Sequence, residues 1–276
     1  MSSSSTSSRS STSSTSTSTS SGTDGDADLA LELASAAGAV LLEVRGRAFA
    51  AGTDPRELKD EGDRAAQAVL ARLLGERRPG DAVLSEEAAD DAVRLSADRV
   101  WIIDPLDGTR EFSEAGRVDW AVHVALWERG DLTAGAVVLP AAGFTYGTAV
   151  PPQVPAAGDG PLRLAVSRTR PPALVHAVVS ALGAVLVPMG SAGVKATALL
   201  RDEADAYVHA GGQFEWDSAA PVAVARAAGL HTSRIDGTPL RYNQADPRLP
   251  DLVVCRPEHA DRLLAAIASA RHKDRG

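Results

Sequence analysis

Ten residues, Val100-Trp101-Ile102-Ile103-Asp104-Pro105-Leu106-Asp107-Gly108-Thr109, constrain this chain more than any other stretch. Four consecutive apolar residues leave no polar face to turn outward, so residues 100–103 read as a short buried strand. Asp104 and Asp107 then stand where that strand is expected to end and the backbone to turn. Pro105 fixes one dihedral and removes one donor. Gly108 permits a sharp turn or the close approach of a ligand. Two carboxylates held a few ångström apart repel each other unless a cation sits between them. The stretch asks for a hard metal ion and for further ligands elsewhere in the chain.

Much of the chain can be set aside in that search. Residues 2–21 are serine and threonine interrupted only by Arg9, with no apolar surface to offset their ordering entropy. Residues 1–25 therefore read as a disordered tail. The tail has no apolar core of a secretory signal and too few arginines for a transit peptide, and no other run is long enough to span a bilayer. Residues 26–150 read as an N-terminal α+β half carrying most of the metal ligands. Residues 151–276 read as a C-terminal α/β half completing the substrate site, with a Pro/Gly-rich connector over 151–161. The net charge of −8 argues against nucleic acid or an anionic membrane as partner. It leaves an anionic substrate open, because bound metal ions reverse the local sign. The single cysteine, Cys255, lies in an apolar run; it excludes an internal disulfide and suits a reducing cytoplasm.

Apolar spacing predicts helices over residues 28–44 and 60–74, a loop over 46–55, and a strand over 81–84 running into Glu86 and Glu87. Residues 118–150 read as an antiparallel meander turning at Arg129-Gly130. The second half alternates strands and helices. One of these helices, to residue 228, has Asp217 as its cap and Gly229 as its stop. Helices and strands mixed in this way suggest stacked layers of helix and sheet.

Three carboxylate sites then stand out: Glu86-Glu87, Asp104 with Asp107, and Asp217 within Glu215-Trp216-Asp217-Ser218. Each has an ordinary reading alone, as a solvated loop charge or a helix cap. Together, at several strand ends, they would converge on one sheet edge. Oxygen ligands of this kind select Mg²⁺, Mn²⁺ or Ca²⁺ rather than zinc, and no histidine or cysteine stands near them in the sequence. His123 alternates within a strand and reads as structural. Trp101, Trp120 and Trp216 read as core, with Trp216 also placed to wall a site beside Asp217.

The blocks Glu86-Glu87, Asp104-Pro105-Leu106-Asp107-Gly108-Thr109 and Trp216-Asp217-Ser218-Ala219-Ala220 resemble the three signatures of the inositol monophosphatase superfamily, in order and at plausible spacing. The longer run over residues 104–112 resembles its CysQ branch, which removes the 3′-phosphate of 3′-phosphoadenosine 5′-phosphate (PAP). Residues 79–87 and 118–127 are similar to the mycobacterial-type form of that branch. The resemblance implies an α-β-α-β-α layered sandwich of the inositol monophosphatase and fructose-1,6-bisphosphatase type. It also implies a lithium-sensitive phosphomonoesterase using two or three Mg²⁺ ions, acting on a small phosphorylated substrate, with homodimer formation left open.

Residue by residue, the resemblance implies that Glu86, Asp104, Asp107 and Asp217 bind metal, together with the backbone carbonyl of Leu106. Glu86 and Thr109 would share the attacking water. Gly108 and Thr109 would offer backbone amides to the phosphate. Asp63 falls where the family places another aspartate near that water, with Asp60 standing where a threonine is usual. Ser191 and Lys195 lie in a segment similar to the nucleotidase branch's substrate segment. His209 stands where inositol-specific members carry a glutamate that contacts the sugar, which speaks against inositol. Arg110 would pair with a second phosphate, or alternatively with Glu111 or Glu114. The rival substrates are inositol 1-phosphate and fructose 1,6-bisphosphate. The rival classes are a non-catalytic metal- or phosphate-binding regulator and a protein stabilised by one Ca²⁺.

Overall fold

The structure, a computed structural model, describes Met1 and residues 22–273. The expected tail lies outside the described residues as far as residue 21, and residues 22–25 already belong to the first helix. That helix, α1 (Gly22–Ala51), packs beside α2 (Pro55–Arg77). Both cover one face of a five-stranded sheet ordered β1 (Ala82–Ser85), β2 (Arg99–Asp107), β3 (Ala121–Glu128), β4 (Asp131–Leu139) and β5 (Phe144–Gly147). The first pair is parallel and the others antiparallel. The short helix α3 (Thr109–Ser113) follows β2.

The second sheet, also five-stranded, runs β7 (Val185–Met189), β6 (Arg163–Ser167), β8 (Ala206–Phe214), β10 (Arg248–Cys255) and β9 (His231–Ser233). Helices α5 (Ala192–Thr197) and α6 (Glu215–Ala227) fill the layer between the sheets, and α4 (Ala173–Leu182) and α7 (Ala260–Lys273) cover the outer face. The five layers are those the family resemblance implies. Among the described residues, no helix is long and apolar enough to cross a membrane.

Strand periodicity assigns side chains to layers. Trp101, Ile103, Val122, Val124 and Leu126 join the core under α1 and α2. Their neighbours Val100, Ile102, Ala121 and Ala125 turn to the middle layer. In the second sheet Val208, Val253 and Cys255 face α4 and α7, whereas Tyr207, Leu252 and Val254 face inward. The middle layer is built for close approach: a Cβ on Gly135 of β4 would stand 2.6 Å from Cβ of Ala223 on α6.

Several boundaries differ from expectation. The loop expected over 46–55 is mostly helix, because Ala48 is buried beneath it and Gly52, at φ +68°, supplies the left-handed stop. The next helix starts at Pro55, with the Asp54 carboxylate accepting from Arg56 N–H at 2.8 Å. β2 continues through Asp107 instead of ending before Asp104. Strand β9 had no expectation; its three residues carry too little pattern to read.

Candidate active site

Two-residue periodicity would put Asp104 and Asp107, three positions apart, on opposite faces of the sheet. A bulge prevents this. Asp104 pairs with His123 and Asp107 with Ala121, so Pro105 and Leu106 together oppose the single residue Val122. Pro105 has no N–H to give the ladder, and the Leu106 N–H donates to Asp104 Oδ1 at 3.0 Å. The extra residue turns both carboxylates into the middle layer. There they meet Asp217, and one oxygen of each of the three lies within 4.8 Å of the others.

Asp217 arrives from α6. It is not the cap of that helix, as expected, but its third residue; its Oδ2 accepts from the Phe214 N–H at 2.6 Å, which turns the chain into the helix and leaves the other oxygen free. Asp107 is gripped on one oxygen only. Its Oδ2 accepts from the Gly193 N–H at 2.7 Å and from the Ser191 hydroxyl. Ser191 holds a left-handed φ of +38° to make that contact while capping α5. Asp104 Oδ2 is buried and has no hydrogen-bond partner.

The electrostatics follow. Burial pushes the Asp104 carboxyl well above its usual value, and the charges of Glu86, Asp107 and Asp217 push it further. Asp217 is raised to about 6 by burial and by Asp107. Asp107 goes the other way: burial would raise it, but His123, Lys195 and the Ser191 hydroxyl outweigh that. Among the described residues no arginine or lysine forms a salt bridge with the three aspartates; the ring of His123 stands against them, its Nε2 3.2 Å from Asp107 Oδ2. A buried carboxylate oxygen without a donor, in a cluster of hard oxygens, fits a divalent cation.

Glu86 and Asp63 stand outside this tight group. Glu86 follows β1, keeps an exposed edge, and is raised to about 7 by lost hydration and then by Asp217 and Asp107. Asp63 lies on α2, which can press against Leu106 and Phe112 because Gly62 lacks a Cβ; one there would meet Phe112 at 2.7 Å. Its carboxyl is raised to about 7 by burial, then by Glu87 and Asp60. Thr109 opens α3 after Gly108, whose φ of +89° makes the turn, and its hydroxyl donates to the Leu106 carbonyl at 3.2 Å.

A cleft of about 740 Å³ opens beside these groups, bordered by Asp107, Gly108, Thr109, Asp217 and three arginines, Arg110, Arg168 and Arg170. Arg110 makes no salt bridge among the described residues; Glu111 and Glu114, its expected alternatives, are taken by Arg168 at 2.7 and 3.1 Å. Ser191, Lys195 and His209 line the same cleft. Lys195 is buried, with Nζ donating to the carbonyls of Gly190 and Ser191 at 2.9 and 2.5 Å. Burial lowers His209 to about 4 and keeps its ring neutral. Behind the cleft wall, Arg45 of α1 donates to the carbonyls of Phe112, Glu114 and Arg117, each at 2.8 Å.

Two features escaped the sequence reading. His123, read as structural and distant, stands against the carboxylates, and Gly193 is needed beside it because a Cβ there would collide with its ring. The signal was present but weak: a histidine at an inward position of a strand whose inward neighbours, Ala121 and Ala125, are small and apolar.

Residues 25–273 match the inositol monophosphatase family. The chain is 56% identical over 243 residues to a Mycobacterium tuberculosis protein named 3′-phosphoadenosine 5′-phosphate phosphatase, covering 85% of this chain and 90% of that one. It is 30% identical over 210 residues to the Escherichia coli 3′(2′),5′-bisphosphate nucleotidase CysQ, covering 69% of this chain and 85% of that one. Among solved structures, a CysQ from Bacteroides thetaiotaomicron superposes with a TM-score of 0.72 at 25% identity, over 84% of this chain and 97% of that one. An inositol monophosphatase from Anabaena superposes at 0.74 with 20% identity, over 90% and 97%, a likeness of fold.

Proposed function

Because the chain belongs to the inositol monophosphatase family, we propose that it is a Mg²⁺-dependent phosphomonoesterase that hydrolyses PAP to AMP and phosphate. One observation carries the reading: Asp104, Asp107 and Asp217 converge without a salt-bridged arginine at the edge of a cleft that is otherwise rich in arginine. Such a site takes cations on one side and phosphate on the other. Three arginines exceed what one phosphate needs and suit a bisphosphate; the name of the 56% identical relative points the same way.

Asp104, Asp107 and Asp217, with Glu86 and the Leu106 carbonyl beside them, would hold the ions. Bound Mg²⁺ supplies charge neutralisation at the phosphoryl oxygens and a more acidic water. The chain's own part is positioning. The Thr109 hydroxyl gives its proton to the Leu106 carbonyl, so its lone pairs face a water and accept from it. Glu86 accepts a hydrogen bond from that water's other O–H, and Asp63 lies on the side of Glu87. The N–H groups of Gly108 and Thr109 bind the phosphoryl oxygens. Arg110, which makes no salt bridge among the described residues, holds the second phosphate, and Ser191, Lys195 and the neutral His209 border the nucleoside. A comparison of kcat/KM on PAP, inositol 1-phosphate and fructose 1,6-bisphosphate with Mg²⁺, with and without lithium, tests this. Preference for PAP is expected; a higher value on either rival overturns the assignment.

A further inference from the structure

His123 is fully buried, and it sits directly across the β2–β3 ladder from Asp104. Its Nδ1 lies 3.2 Å from the main-chain oxygen of Trp216, the residue before Asp217. A carbonyl only accepts, so Nδ1 carries the proton and donates. Its Nε2 lies 3.2 Å from Asp107 Oδ2 and has no hydrogen-bond partner, and Nδ1 is 4.0 Å from Asp104 Oδ2. One imidazole thus borders all three sources of the carboxylate cluster.

The opening turn of α6 has other polar anchors, but they lead elsewhere. Glu215 accepts from the N–H groups of Asn243 and Gln244, and Ser218 bonds Tyr242. Among the described residues, the His123–Trp216 hydrogen bond is the tie between that turn and the first sheet. Gly193 leaves space for the ring and simultaneously donates to Asp107. We propose that His123 is a positioning residue for the divalent-cation site, setting the separation of Asp107 on β2 from Asp217 on α6 through its bond to the Trp216 carbonyl.

This rests on the metal-dependent reading above, and the test separates the two. Mg²⁺ binding to the metal-free protein is measured by titration calorimetry for the parent, for His123→Leu, which fills the space without a donor, and for His123→Asn, whose side-chain N–H₂ overlays Nδ1. His123→Leu is expected to weaken Mg²⁺ at least about tenfold, as loss of a residue that orients a ligand does, and His123→Asn to return within about threefold of the parent. Parental affinity in His123→Leu overturns the inference, as does His123→Asn binding as weakly as His123→Leu. Nitrogen NMR of the histidine-labelled parent gives a readout that depends on no variant: a proton on Nδ1 supports the inference and a proton on Nε2 alone overturns it. A parent that binds no Mg²⁺ overturns the phosphatase reading itself.

Discussion

Asp205 and Asp104 are both buried aspartates, and the protein treats them in opposite ways. Asp205 is wrapped by arginine: its oxygens accept from the backbone and side chain of Arg163 at 2.8 to 3.0 Å and from Arg256 at 3.3 Å. Burial alone would raise its carboxyl, but those donors hold it at about 2. Asp104 is as deeply placed, has no arginine, and shares its space with two more carboxylates. Its carboxyl is driven up, not down. A buried charge with its partner built in is closed structure. A buried charge without one persists only where something from outside completes it.

The contrast can be broken most sharply at the open cluster. Asp107→Asn is expected to lower kcat/KM on the order of 10³-fold in Mg²⁺ while the melting curve stays cooperative. Near-normal turnover in the purified variant rules out a ligand role. Asp205→Asn should do the reverse. It takes the buried carboxylate from Arg163 and Arg256, leaving them the half-exposed Asp202, and should cost about 3 kcal/mol in urea unfolding, with Mg²⁺ affinity unchanged. Because the folded carboxyl is depressed, its contribution is complete above the unfolded value of about 3.9 and fades as pH falls through about 2. The stability gap between parent and Asp205→Asn should therefore close over that window, as followed by acid unfolding. The arginines divide in the same way. Arg163 is committed to Asp205, whereas Arg110 is free, so Arg110→Ala should raise KM for PAP about tenfold and leave inositol 1-phosphate kinetics unchanged. The smallest effect is the most diagnostic. Asp104→Asn should stabilise the metal-free protein by about 1 kcal/mol, by removing a carboxyl whose ionised form burial and its neighbours penalise, while abolishing Mg²⁺ binding in calorimetry.

Legibility in the sequence followed chain distance. Asp104, Leu106, Asp107, Gly108 and Thr109 are contiguous, so their proximity needed no fold. Stacked layers of helix and sheet were readable because apolar periodicity switches between helix and strand, whereas the order of the five layers came only through the family resemblance. What could not be read depended on register. The bulge at Pro105-Leu106, which brings both aspartates to one face, shows only in how β2 pairs with β3. His123 becomes a neighbour of Asp107 through that same pairing and through Gly193, far along the chain. The family resemblance implied Glu86 as a ligand and Asp63 as a group near the water, and both stand outside the tight aspartate group. Arg168 takes the glutamates that sequence proximity had offered to Arg110, because β6 ends beside α3.

The hydrogen bonds of Arg45 to the carbonyls of Phe112, Glu114 and Arg117 are made to main chain alone. Every residue type carries the same carbonyl, so the grip is blind to sequence. A change of side chain at position 114 or 117 therefore leaves that anchor in place, whereas Gly116, at φ +77°, is fixed by its own backbone conformation. An anchor of this kind lets the chain behind the cleft drift in sequence while residues 107–111, which line it, keep their place.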